Sequence, residues 1–136
     1  MFDIIVISHG SFSCSLLETA ELIAGKQSNV KTLGVDLGCN LDEVKNELIA
    51  YLTESKNNNR DVLVLSDLFF GSPFTLVCSL MEDFEFKHYS GINLPTFLEI
   101  LTQRHCLSLD EILENLLIIA QSSIIDVNSY FCEEGV

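Results

Sequence analysis

Two short stretches hold residues whose types and spacing could do chemistry together. The first is IIVISHGSF, residues 4–12, where an apolar run ends in Ser8, His9 and Gly10. The second is VLVLSDLFFGSPF, residues 62–74, where another apolar run ends in Asp67 and then turns through Gly71, Ser72 and Pro73. A carboxylate that accepts a hydrogen bond from one imidazole nitrogen fixes the tautomer and leaves the other nitrogen as a nucleophile. Helix N-termini supply free N–H groups and a dipole that favours an anion. One helix is predicted just after Gly10, with Ser11 or Ser13 near its start, and another at Ser72, read as the N-cap with Pro73 at the first helical position. Pro73 has no N–H, so the predicted anion donors are the Ser72 hydroxyl and the backbone of Phe74 and Thr75. Gly10 and Gly71 let backbone approach a bulky anion, and a phosphoryl group on His9 would fit this setting. Plainer readings stand beside this one. A strand-end histidine is often structural, Asp67 is an ordinary turn residue, and Gly-Ser-Pro is a common junction into a helix.

Whether these residues meet depends on the elements that carry them. Residues 3–8, 30–37, 61–67 and 86–93 read as strands; the first, rich in β-branched residues, and the third, near-continuously apolar, read as buried. Between them lie helical patterns: residues 13–25 closed by Gly25, a helix capped by Asn40 with Glu43 three residues later, and the helix from Ser72. Pro95 opens a helix to about Gln103, and Ser108 with Glu111 forms a capping box for the last one. Strands alternating with helices predict an α/β fold: an open, mainly parallel sheet of order 2-1-3-4 with helices on both faces. In such a sheet ligands bind beyond the carboxyl ends of the strands, at the switch point between the first and third. That places Ser8-His9-Gly10, Asp67 and the Gly91–Asn93 segment on one rim. The tail, residues 122–131, reads either as an extension of the last helix or as an added C-terminal edge strand over 124–131.

Composition narrows the partners. The chain has 136 residues, fits one domain over 1–136, and is 48% apolar and 20% charged. Its net charge is −13 with only seven basic residues, which argues against nucleic acid and for an acidic, solvated surface. The start, MFDIIVISHG, lacks a basic n-region and does not read as a signal peptide. Five cysteines at 14, 39, 78, 106 and 132 form no C-x-x-C pair, so neither a disulfide framework nor a structural zinc site is expected, and a reducing cytoplasm suits them. His88 and His105 read as structural, while Phe69 and Phe70 read equally as a docking patch or as side chains folded under the loop. A receiver domain would need an acidic pair where Ser8-His9 stands, and no P-loop, complete G-x-G-x-x-G or G-x-S-x-G elbow is present.

Together, VISHGSF, LSDLFFGSPF and SGINLPTFLEIL, in order and with matching spacing over nearly the whole chain, resemble the enzyme IIA component of the mannose/fructose/sorbose class of the phosphoenolpyruvate-dependent sugar phosphotransferase system. The resemblance implies that His9 is the phosphorylated histidine, that Asp67 orients its ring, and that Ser72 contacts the phosphoryl group. It implies a cytoplasmic phosphocarrier, loaded by the histidine-containing phosphocarrier protein and unloaded by a sugar-specific enzyme IIB, with membrane components IIC and IID downstream and no metal or organic cofactor. It also implies a homodimer, with residues 122–136 as a tail that could be exchanged. Phe70 replaces the first glycine of the family's usual G-G-S-P, and Thr75 stands where an asparagine is frequent. A phosphotransfer subunit of dihydroxyacetone kinase and a non-enzymatic regulatory module of the same fold are the alternatives. The sugar is not written in this chain.

Overall fold

A computed structural model describes residues 1–133. The apolar runs become four parallel strands: β1 Asp3–His9, β2 Val30–Val35, β3 Val62–Ser66 and β4 Lys87–Ser90. Their order is 2-1-3-4, as the alternation of elements predicts. Six helices connect and follow them: α1 Phe12–Ala24, α2 Leu41–Asn57, α3 Ser72–Cys78, α4 Leu94–Gln103, α5 Leu109–Gln121 and α6 Val127–Glu133.

The two-residue period of a strand sorts the core into two layers. Ile4 and Val6 of β1 and Leu63 and Leu65 of β3 face α1, α4 and α5, meeting Leu16, Phe97, Ile100 and Ile112. Ile5 and Ile7, with Val62 and Val64, face α2 and α3, meeting Leu48, Leu52 and Val77. Both faces of the central strands are therefore covered, which is why those runs are continuously apolar rather than alternating.

Local signals set the element ends. Asn40 accepts the Asp42 N–H at 3.0 Å, and Asn93 accepts the Thr96 N–H at 3.1 Å. Ser108 and Glu111 cap each other reciprocally at 3.1 and 3.2 Å. At the amino end of β1, the buried Asp3 carboxylate accepts from the Ser55 hydroxyl at 2.6 Å and from Arg60 Nε at 2.9 Å. This ties the end of α2 and the start of β3 to the central strand.

The tail departs from both sequence readings. It neither continues α5 nor forms an edge strand: α5 ends at Gln121, and α6 starts afresh at Val127. The reason is a local cap. The Asp126 carboxylate accepts the Ser129 N–H at 3.2 Å and its hydroxyl at 2.8 Å, so a D-x-x-S signal overrides the β-branched run Ile124, Ile125, Val127. Of the tail read as exchangeable, residues 134–136 lie outside the described residues. Among the described residues, no helix is long and apolar enough to cross a membrane.

Candidate functional site

β1 lies between β2 and β3, so chain crossovers leave it in opposite directions and open a crevice above its carboxyl end. His9 is the last residue of β1, and Asp67 follows the last residue of β3. The parallel register pairs Ile7 with Ser66, which sets His9 and Asp67 side by side. Asp67 Oδ2 lies 2.8 Å from His9 Nδ1 and also accepts the His9 backbone N–H at 3.0 Å. Its other oxygen accepts the Leu68 N–H at 3.0 Å. A carboxylate offers only acceptors, so Nδ1 carries the proton and, in the neutral ring, the lone pair is on Nε2. Burial pushes the Asp67 carboxyl up, but the hydrogen bonds from the His9 amide and ring outweigh it, and its pKa lies below the ordinary carboxylate value. The carboxylate is largely covered, whereas the His9 side chain is 48% exposed.

Gly71 closes the other side of the ring. Its φ of +92° and ψ of 176° belong to a region open essentially to glycine alone. A Cβ built there would lie 2.8 Å from His9 Nε2 and 2.9 Å from Cε1. The imidazole thus sits between a carboxylate behind Nδ1 and bare glycine backbone beside Nε2. Sequence reasoning assigned Gly71 to the approach of an anion; the structure shows that its missing side chain first makes room for the histidine itself.

The start of α3 corrects the expected cap. Gly71, not Ser72, is the N-cap: its carbonyl accepts the Thr75 N–H at 3.0 Å, and Ser72 makes no capping bond through its hydroxyl. Thr75 therefore has its backbone donor committed, contrary to the sequence expectation. The Ser72 and Phe74 N–H groups have no protein acceptor among the described residues. Gly10 is likewise committed, donating to Val35 O at 2.9 Å; its φ of +52° serves the turn out of β1. Ser13 is structural: its N–H bonds Ser8 Oγ at 2.7 Å and its hydroxyl bonds Leu33 O at 2.8 Å. Asn93 turns from the rim to cap α4 and to donate to Ser123 Oγ at 2.7 Å.

Phe69 and Phe70 are 78% and 68% exposed beside this site, so they are not folded under the loop. Phe12 and Leu68 are also exposed next to it. A cavity of about 820 Å³ lies elsewhere, at the amino ends of the strands between Arg60, Phe84, Phe86 and Leu109. His9 stands on an open, apolar-rimmed surface, a setting suited to a macromolecular partner better than to a small molecule held in a pocket.

Fold and site together define an open parallel α/β domain with an aspartate-held histidine at its topological switch point. Residues 3–117 match the family model described as the PTS system fructose IIA component, and the chain belongs to that family, the enzyme IIA components of the mannose/fructose/sorbose class of the sugar phosphotransferase system. It is 30% identical over 124 residues to the PTS system fructose-specific EIIA component of Bacillus subtilis, covering 90% of this chain and 84% of that protein. It is 33% identical over 104 residues to the PTS system mannose-specific EIIAB component of Escherichia coli, covering 74% of this chain but 31% of that longer protein. The crystal structure of phosphotransferase system component EIIA from Streptococcus agalactiae superposes with a TM-score of 0.84 at 28% identity, over 95% of this chain and 99% of that one.

Proposed function

We propose that this chain is a phosphocarrier that takes a phosphoryl group onto His9 Nε2 from the histidine-containing phosphocarrier protein and passes it to a sugar-specific enzyme IIB. The observation that carries this reading is the 2.8 Å contact of Asp67 with Nδ1 while the ring stays half exposed, with the Gly71 backbone beside its Nε2 edge.

The chemistry follows from that geometry. The Nε2 lone pair attacks phosphorus in line as the P–N bond to the donor imidazole breaks, and that bond's electrons return to the donor nitrogen. The proton on Nδ1 stays in place, so the phosphorylated ring is formally cationic. The Asp67 carboxylate stabilises that charge from behind, on the side away from the phosphoryl oxygens, where its own charge would repel them. The Ser72 and Phe74 N–H groups and the Ser72 hydroxyl, at the start of α3, are the donors left for those oxygens. Gly10 and Gly71 shape the backbone around them, and Thr75 lends at most its side chain. Enzyme IIB completes the cycle by the reverse displacement.

The partners are proteins that present a histidine on an apolar surface, which Phe12, Leu68, Phe69 and Phe70 complement; membrane components IIC and IID act only through enzyme IIB. The setting is cytoplasmic. A homodimer agrees with the exposed Leu117, Ile118, Ile124, Ile125 and Tyr130 of α5 and the tail. The test is transfer: the chain carrying labelled phosphate, mixed with an enzyme IIB of this class, loses label to it. Retention of the label over many minutes with a competent enzyme IIB would contradict the proposal.

A further inference from the structure

The loop of residues 67–71 supplies both sides of the His9 cradle, with Asp67 at its start and Gly71 at its end. Ser66, just before that loop, and Phe74, in the first turn of α3 after it, both touch one side chain, His88 of β4. Its Nε2 lies 2.8 Å from Ser66 Oγ, and its ring lies 5.5 Å from the Phe74 ring, centroid to centroid, at 37°. Ser66 is fully buried and further held by Ser90 Oγ at 2.9 Å and by the Gly91 and Ile92 N–H groups on its carbonyl. Phe74 in turn packs against Phe69, at 4.9 Å.

Strand pairing places this contact on the α3 side. His88 is in register with Val64, and Val64 packs in the layer that contains Val77 of α3. An aliphatic residue there would pack against Phe74 but offer nothing to the Ser66 hydroxyl. A small polar residue would do the reverse. A planar ring with a polar edge does both. Burial lowers the His88 pKa, which favours the neutral ring.

We propose that His88 is a positioning residue for phosphoryl transfer at His9: by holding Ser66 and Phe74 on either side of the 67–71 loop, it fixes the separation between the Asp67 carboxylate and the Gly71 backbone, between which the His9 imidazole sits. His88 touches neither phosphoryl group nor His9. It acts through Ser66 on the Asp67 side and through Phe74 on the Gly71 side. The inference rests on the reading of His9 as phosphoryl acceptor, and its test separates the two.

The test compares wild type with His88→Leu and His88→Gln. Two quantities are read: the single-turnover rate of His9 phosphorylation by the phosphorylated histidine-containing phosphocarrier protein, and the ¹⁵N and ¹H signals of the His9 ring. Expected for His88→Leu is a loss of roughly tenfold in the rate at saturating donor, with the donor concentration at half-saturation nearly unchanged, since displacement by a fraction of an ångström takes part of the ~100-fold that 1 Å can cost. The His9 Nδ1–H signal shifts with it. His88→Gln, which keeps a donor for Ser66, recovers part of the rate. A wild-type rate in a folded His88→Leu chain, or an unshifted His9 signal, overturns the clamp. If wild type itself takes no phosphoryl group, the reading of His9 fails, and the ring signals still decide the clamp.

Discussion

The backbone of Gly71 and the ring of His9 are so close that one added methyl group would lie 2.8 Å from Nε2. The turn opening α3 and the histidine ending β1 are thus one fitted unit. Gly71→Ala is expected to cost about 1–3 kcal/mol of stability, because φ is +92° there. It is also expected to lower the rate of phosphoryl acceptance by tenfold or more, since the ring must turn away from Asp67 or lose Nε2 access. Denaturant unfolding and single-turnover labelling check the two effects. An alanine variant with full activity would show that the ring does not work in this position.

Asp67 gives a pH prediction with a definite sign. Its carboxyl pKa lies below the ordinary value of about 3.9, because the His9 hydrogen bonds outweigh burial. A group depressed on folding contributes stability that is present above its unfolded pKa and lost as pH falls through the folded one. The stability advantage of wild type over Asp67→Asn should therefore persist to about pH 4 and shrink only below it. An advantage that vanishes between pH 7 and 5 in urea titrations contradicts the assignment.

Phe70 stands where the family usually has glycine, and it is 68% exposed. Phe70→Ser should leave stability within about 0.5 kcal/mol, as for other exposed positions. It should raise the concentration of phosphorylated donor needed for half-maximal rate severalfold while sparing the maximal rate. An unchanged concentration dependence removes Phe70 from the docking surface.

Ser108→Ala is the control for stability without chemistry. The reciprocal cap with Glu111 at the start of α5 is lost, at a cost of about 1 kcal/mol. Since α5 packs on the side of the sheet away from α3, the rate of His9 phosphorylation by the folded chain should not change.

Much of this was legible before any coordinates. Buried parallel strands announce themselves as continuous β-branched runs, and that alternation with capped helices leaves few sheet orders; His9 and Asp67 follow from the carboxyl-end rule. What stayed hidden depends on distances between segments far apart in the chain. Ser72-Pro73 has the composition of a capped helix start, yet Gly71 takes the cap, and the His9 ring fills the space where a Cβ at that position would sit. The link from His88 to Ser66 spans 22 residues and exists only because β3 and β4 pair in register. The tail misled because Ile124 and Ile125 suggest a strand, while the weak cap at Asp126 decides for α6.

The most direct test of the central claim is to incubate the chain with phosphoenolpyruvate, enzyme I and the histidine-containing phosphocarrier protein, and to locate the product by mass spectrometry and ³¹P–¹H correlation. The account predicts one acid-labile phosphoryl group per chain, bonded to Nε2 of His9 and absent from His9→Ala. A label that survives in His9→Ala, or one bonded to Nδ1, would contradict it.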